Sequence, residues 1–139
     1  MKTFKAIHKS RLIAFKEDNI LVLEKIDAKK KYTLAGGIQK KQESDYRSLI
    51  RETREEIGVK LKKKELTYFI SIRNITKEKR VVYKHYFITT KPIVNIEVLE
   101  PEKFKNAIWV SWYDALEFLD KEDRSAVALY CDQFRKKAN

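Results

Sequence analysis

The chain is poor in the residues that cross-link or interrupt a fold. Its single cysteine, Cys131, has no partner for an internal disulfide, and three glycines and two prolines leave little room for a flexible hinge. No apolar run approaches the roughly 20 residues of a membrane span, and no signal-peptide core is seen at the N-terminus. We therefore expect a cytoplasmic protein without a membrane segment. Cys131 lies in an apolar helical stretch and is expected to be a core residue rather than a nucleophile.

The abundant residues predict one folded domain over 1–139. Hydrophobic residues make up 43% of the chain and aromatic residues 12%, which is enough for a core and argues against disorder. The net charge of +11 favours polyanionic partners. Because the basic residues occur in short, separated runs, we expect most of them to be solvated and a subset to steer phosphates.

One segment places acidic residues on a predicted helix. Glu52, Glu55 and Glu56 stand at positions i, i+3 and i+4, so a helix over about 45–57 carries them on one stripe. A hard divalent cation would relieve their mutual repulsion, since oxygen-rich sites suit Mg²⁺ and Mn²⁺. The alternative is a solvated charged face on which Arg51 and Arg54 pair locally with the acids.

The same helix has a second face that predicts packing on a core. Ser44 supplies an N-cap, and Gly58 supplies a C-terminal stop. An apolar stripe lies roughly 120° from the centre of the acidic one. Its members are Tyr46, Leu49, Ile50, Thr53 and Ile57. The acids are therefore predicted to stand on a helix that a core holds in place.

The segment 37–59 resembles the Nudix box. That pattern is Gly, five residues, Glu, seven residues and then Arg-Glu-apolar-x-Glu-Glu-x-Gly-apolar. The matching positions are Gly37, Glu43, Arg51, Glu52, Glu55, Glu56, Gly58 and Val59. Thr53 stands where an aliphatic residue is usual, and Gln42 stands where a glycine is frequent. Neither change removes a metal-binding oxygen.

The resemblance implies roles for individual residues. The metal ligands would be the backbone carbonyl of Gly37 and the carboxylates of Glu52, Glu55 and Glu56. One of these acids, with Glu52 preferred, or a loop acid would take the proton from the attacking water. A further ligand is expected from the later loop, namely Glu102 or, second, Glu100, with Glu97 in the same loop. Structural support would come from Gly36, Glu43, Arg51 and Gly58, and substrate contacts from Lys25, Arg73 and Tyr83. His85 is expected to be a satisfied sheet residue rather than a ligand.

The predicted elements agree with the α/β/α sandwich and mixed sheet that the resemblance implies. Strands are predicted over 4–15, 20–26, 32–34, 66–74, 80–90 and 107–110, with a hairpin turn at 16–19 and a loop at 91–105. Besides the helix at 45–57, two C-terminal helices are predicted. Ser111 with Asp114 would open the first as a capping box, and Asp120 would cap the second.

The implied function is Mg²⁺-dependent hydrolysis of a nucleoside diphosphate derivative by water attack on phosphorus, with Mn²⁺ as an alternative metal. Two other functions are open: a non-catalytic nucleotide- or RNA-binding module, and removal of pyrophosphate from an RNA 5′ end. A small-molecule nucleotide is favoured over nucleic acid, because the sequence has no clear RNA-recognition motif. No membrane partner is expected, and both a monomer and a homodimer fit the resemblance.

Overall fold

The computed structural model describes residues 5–135, which form eight strands and three α-helices. The strands are β1 (Ile7–Ile13), β2 (Phe15–Lys16), β3 (Asn19–Lys25), β4 (Tyr32–Thr33), β5 (Gly36–Ile38), β6 (Leu66–Ile75), β7 (Val81–Thr89) and β8 (Phe104–Ser111). The helices are α1 (Asp45–Ile57), α2 (Trp112–Ala115) and α3 (Lys121–Phe134). None of the helices in 5–135 is long and apolar enough to cross a bilayer.

The strands form two four-stranded sheets. The first has the order β5-β1-β7-β6, in which β1 and β7 run parallel and the other neighbours run antiparallel. In the second, β3 pairs with β8 along its whole length and with the short strands β2 and β4. The mixed β-structure expected from the resemblance is therefore present, divided between two sheets.

Neighbouring residues of the central strands enter two different cores. Leu12 and Phe87 join the cluster that contains the buried residues of α1, whereas Ile13 and Tyr86 join the cluster that contains those of α3. Successive side chains of a strand point to opposite faces, so this division means that helices cover the strands on both sides. The α/β/α arrangement is confirmed, and Cys131 is buried in the α3 cluster as predicted.

Helix α1 begins and ends where its sequence predicts. The Ser44 side chain accepts a hydrogen bond from the Arg47 N–H, and Gly58 adopts a left-handed φ of 72° while its N–H donates to the Arg54 carbonyl. Thr53 is buried, and its Oγ1 donates to the Leu49 carbonyl at 2.7 Å. The hydroxyl at this unusual position is thus satisfied within the helix.

The structure corrects several predicted boundaries. The first strand ends at Ile13 and Phe15–Lys16 is a separate strand, while the predicted start at Phe4 lies outside the described residues. The last strand begins at Phe104, inside the segment predicted to be a loop, because residues of β3 pair with it from Lys25 to Asn19.

The two predicted caps at the C-terminal helices have different outcomes. Ser111 forms no side-chain capping bond; it is the last residue of β8 and pairs with Asn19, so the capping-box prediction is wrong. Asp120 does cap α3, since its Oδ1 accepts from the Asp123 N–H at 2.9 Å. Helix α3 therefore begins where the sequence predicts.

Candidate active site

Glu56 is the buried member of the acidic stripe. It is 5% exposed, and its Oε1 accepts a hydrogen bond from the Gly36 N–H at 2.8 Å. Burial raises the pKa of Glu56 to about 8; the negative charges of Glu52 and Glu100 add to this, and the Gly36 bond and the Arg11 charge oppose it. Within residues 5–135, Glu56 has no ion pair of its own. Glu56 is therefore a buried carboxyl group next to other acidic side chains and without an ion-pair partner in the described residues.

The glycine pair of β5 allows the backbone to approach both a neighbouring strand and an acid. A Cβ on Gly36, whose φ is 139°, would lie 1.8 Å from the Ser10 carbonyl oxygen of β1. A Cβ on Gly37 would lie 2.4 Å from the Cδ of Glu52. At Gly36 the obstacle is backbone, so only glycine fits. At Gly37 the obstacle is the end of the Glu52 side chain, so a Cβ there would displace the carboxylate that the box predicts to be a ligand.

Arg51 ties the loop before the helix to the acids on it. Its Nε and Nη2 donate to Glu43 at 2.8 and 3.1 Å, its Nη1 lies 3.0 Å from Glu52 and 3.2 Å from Glu55, and its Nη2 also donates to the Ile38 carbonyl. The Glu43 bond raises the pKa of Arg51, and the Arg51 bond lowers that of Glu43. The expected Glu43–Arg51 pair is thus present.

These contacts also show how far local pairing relieves the acidic stripe. Arg51 compensates Glu52 and Glu55, as the solvated-face alternative supposes. It does not reach Glu56, which is deeper. In the described residues, Glu56 is therefore the member of the stripe that no local ion pair compensates, and it is also the buried one.

The later loop brings a fourth carboxylate to this group. Glu97 and Leu99 donate backbone N–H bonds to the carbonyls of Ile57 and Glu56, at 3.2 and 2.9 Å, so the loop is held against the end of α1. Glu100 follows at once, half-buried, with its charge close enough to affect the pKa of Glu56. Glu102, in contrast, is exposed in the turn at 101–103.

Glu100 shows a second feature of a cation ligand. Its Oε1 is buried and has no hydrogen-bond partner in the described part of the chain, while its Oε2 lies 3.4 Å from the Nζ of Lys103. A buried carboxylate oxygen without a donor is costly. Because this oxygen belongs to the same cluster as Glu52 and Glu56, the donor set fits an oxygen-seeking divalent ion.

A basic cavity of about 430 Å³ lies between the first sheet, the β3–β4 loop and the start of α3. Arg11 relates this cavity to the acidic stripe, because it lines the cavity and its charge lowers the pKa of Glu56. The Nε of Arg11 is buried without a hydrogen-bond partner in residues 5–135. The cationic residues of the wall are Lys9, Arg11, Lys25, Lys29, Lys30, Lys31 and Lys84. Such a wall suits an anionic ligand.

A buried polar network fixes one side of the cavity. Lys84 Nζ lies 2.6 Å from Asp120 Oδ2 and 3.5 Å from Asp123 Oδ1, and the Tyr86 hydroxyl donates to Asp123 Oδ1 at 2.6 Å. Burial and the Asp123 charge raise the pKa of Tyr86, so this phenol stays protonated. The network joins β7 to the first turn of α3 and so holds the helix at the cavity.

The predicted substrate residues separate into two places. Lys25 lines the cavity. Arg73 and Tyr83 are paired across β6 and β7, and Tyr83 stacks on His8 with ring centroids 5.3 Å apart. Tyr83 lies one position from Lys84, so its side chain points to the opposite face of the sheet. The structure thus brings only Lys25 of these three to the cavity wall.

Sequence reasoning missed Lys9, Arg11 and Lys84. A signal for them exists, because Lys84 is a cation inside the largely apolar strand β7, and Lys9 and Arg11 share one face of β1 at a spacing of two. The position of these cations opposite a lysine-rich loop could not be read from the strands alone. It depends on the sheet topology.

Comparison with known proteins gives one family. A sequence profile of the NUDIX domain matches residues 8–130. No curated protein sequence matches the chain.

Solved structures share the fold at low sequence identity. The E. coli ORF135 protein superposes with a TM-score of 0.79 at 20% identity, over 97% of this chain and 96% of that protein. A MutT NUDIX hydrolase from Burkholderia pseudomallei has a TM-score of 0.77 at 19% identity, over 90% and 98%. The E. coli dihydroneopterin triphosphate pyrophosphohydrolase has a TM-score of 0.72 at 14% identity, over 91% and 95%. At these identities the likeness establishes the fold.

Proposed function

The chain belongs to the Nudix family of pyrophosphohydrolases, and we propose that it cleaves the pyrophosphate linkage of a small nucleotide in a Mg²⁺-dependent reaction. One observation carries this proposal: the charges of Glu52, Glu100 and Arg11 all act on the buried Glu56, and Arg11 also lines a cavity whose wall has seven cationic side chains against the acids Glu117 and Asp120. The acids suit a divalent cation, and the cavity suits the phosphates and nucleoside of an anion. Arg11 stands between the two.

The acidic cluster would hold the metal through oxygen atoms. Its donors are Glu52, Glu56 and Glu100, with Glu55 and the Gly37 carbonyl completing the set that the Nudix box implies. Mg²⁺ is the first choice and Mn²⁺ the second, because both prefer carboxylate and carbonyl oxygens. When bound, such an ion neutralises phosphate charge and lowers the pKa of water. We propose Glu100 rather than Glu102 as the loop ligand, since Glu100 has the buried, unpartnered oxygen.

The protein's own residues would position the reacting groups. Arg51 and Glu43 hold the loop around Ile38 against α1, which keeps Gly37 beside Glu52. Glu52 is our proposal for the group that takes the proton from water: its side chain is 16% exposed, so water reaches it, whereas Glu56 is committed to the Gly36 N–H.

The cavity supports a nucleotide-sized substrate. A volume of about 430 Å³ is within the roughly 300–1,000 Å³ of small-molecule sites. Lys25 and Arg11 would contact phosphate, and Tyr32 contributes an aromatic surface to the wall. Contacts from Arg73 and Tyr83 stay predictions, as do the single domain over 1–139, the cytoplasmic location and the oligomeric state.

A hydrolysis screen tests the proposal. Nucleoside triphosphates, sugar nucleotides and triphosphorylated RNA would be assayed with Mg²⁺ and Mn²⁺. Two solved neighbours are described as acting on dihydroneopterin triphosphate and on Ap4A, so both compounds join the panel. Binding without turnover in every case would favour the non-catalytic alternative, and turnover confined to RNA would favour the 5′-end reaction.

Variants connect any activity to the acidic cluster. Glu56→Gln is expected to lower kcat by at least about 10²-fold, because the cluster loses a buried metal-binding charge. Glu78→Gln, in the exposed turn between β6 and β7, removes one negative charge elsewhere and should leave kcat unchanged. Equal activity of the two variants would reject the assignment of the site.

A further inference from the structure

The chain has only two histidines, and the fold brings them into contact. His8 lies in β1 and His85 in β7, which run side by side in parallel. The Nδ1 of His8 is 2.8 Å from the Nε2 of His85. Asp45, the first residue of α1, places its Oδ1 3.8 Å from the same His85 nitrogen. Three metal-ligating side chains from three elements thus meet, with their ligand atoms all within 4.8 Å of one another.

We propose that His8, His85 and Asp45 form a binding site for a divalent transition-metal ion, for which Zn²⁺ is the best match. Two imidazole nitrogens and one carboxylate oxygen are a donor set that zinc binds readily and that Mg²⁺ does not prefer. Zinc–ligand bonds of about 2.0–2.1 Å in tetrahedral geometry place two ligand atoms about 3.3 Å apart. The observed separations of 2.8 and 3.8 Å lie on either side of that value. An ion would replace the His8–His85 hydrogen bond, and both rings would turn so that their lone pairs point at it.

Surrounding residues orient the imidazole of His85 toward this point. The Tyr68 hydroxyl lies 2.8 Å from His85 Nδ1, so an N–H at Nδ1 can donate to the phenol while Nε2 keeps its lone pair for a metal. Metal-ligating histidines commonly hold their second nitrogen in this way. The sequence predicted His85 to be a satisfied sheet residue, and it does have partners in the sheet. Those same partners leave one nitrogen facing His8 and Asp45.

Ring stacking restricts the second imidazole. Tyr83 and His8 are stacked with an interplanar angle of 14°. The rings of His8 and His85 are nearly coplanar, at 7°, and lie edge to edge, since their nitrogens are 2.8 Å apart and their centroids 5.1 Å apart. His85 is buried, whereas His8 and Asp45 are half-buried, so the site is covered on one side and reachable on the other. Little side-chain entropy remains to be lost when an ion binds, which favours affinity.

This site is separate from the acidic cluster in position and in chemistry. Asp45 begins α1 and Glu56 lies 11 residues later, so about 16 Å of helix separates them at 1.5 Å per residue. At the start of α1, Asp45 meets two imidazoles from β1 and β7, whereas near its end the acidic cluster offers only oxygen ligands. An ion at His8, His85 and Asp45 would link β1, β7 and α1 and stabilise the helix that carries the acids.

The test uses untagged protein freed of metal with EDTA. Titration with Co²⁺, followed by its visible absorption, is expected to give one tetrahedral site with nitrogen and oxygen ligands, and stoichiometric Zn²⁺ is expected to displace the Co²⁺ signal. His8→Gln and His85→Gln should each remove the signal. Glu56→Gln should retain it, and Tyr68→Phe should weaken binding by at least about tenfold through loss of the oriented nitrogen.

Thermal unfolding gives a second readout. Zn²⁺ should raise the Tm of the wild type and of Glu56→Gln, and should not raise the Tm of His8→Gln. Far-UV circular dichroism of each metal-free variant checks that it is folded. A Co²⁺ signal that survives in both histidine variants, or a wild type that binds no Zn²⁺ at micromolar concentration, would overturn the proposal and leave the cluster as a hydrogen-bond network alone.

Discussion

Replacing Glu56 by Gln should change how the stability of the metal-free protein depends on pH. The pKa of Glu56 is about 8 in the native state, against 4.5 for an unperturbed glutamate. Between these values the native state keeps a proton that the unfolded state has released, so the free energy of unfolding falls as pH rises. Below pH 4.5 both states are protonated and the effect vanishes; above pH 8 it is complete. At 1.36 kcal/mol per pKa unit, the loss across the window is at most about 5 kcal/mol.

Glutamine removes the titration and keeps the structure around it. Its amide oxygen can still accept from the Gly36 N–H, and its shape is that of glutamate. The variant and the wild type should therefore be nearly equal in stability at about pH 4.5. At pH 8 to 9 the variant should be the more stable by a few kcal/mol, up to that limit of about 5. Glu55 provides the control, because its side chain is 44% exposed. Glu55→Gln should leave the pH profile of stability little changed.

Urea denaturation in EDTA buffer at several pH values measures these differences. Saturating Mg²⁺ should flatten the wild-type profile, because the ion binds the carboxylate form and replaces the proton, and it should have little effect on Glu56→Gln. Parallel pH profiles for the wild type and Glu56→Gln would refute the reasoning, since they would mean that Glu56 titrates normally in the fold.

Three further substitutions probe neighbouring features. Gly37→Ala places a Cβ 2.4 Å from the Cδ of Glu52, so the Glu52 carboxylate must move and kcat should fall by at least about tenfold; the free energy of unfolding should change little, because that side chain is flexible, and unchanged kinetics would contradict the role of Glu52. Arg11→Met should raise KM at least about tenfold, whereas Lys77→Met in an exposed turn should not. Equal increases in KM would mean that the loss of net charge, and not the position of Arg11, weakens substrate binding. Gln42→Gly should stabilise the protein by about 0.5–1 kcal/mol in urea denaturation, because Gln42 has a φ of 66°, and a lower stability would contradict this.

Local patterns predicted α1 closely, and long-range contacts explain what those patterns missed. Ser44, the apolar stripe and Gly58 act within a few residues of one another, and the helix has the predicted bounds. The start of β8 at Phe104 depends on β3, which lies about 80 residues earlier in the chain. Our proposal of Glu100 instead of Glu102 depends in the same way on distant residues, because two backbone bonds hold the loop against α1 and the Oε1 of Glu100 is buried there.

The sequence by itself determined the family, the acidic helix and the residues that support it, because the Nudix box is contiguous and its spacing is read along one helix. Tertiary structure decided which acid is buried, which cations line the cavity and that His8 meets His85. Desolvation, sheet register and helix packing set these properties. Each of them requires residues far apart in the chain to occupy the same small volume, and spacing along the sequence carries no measure of that distance.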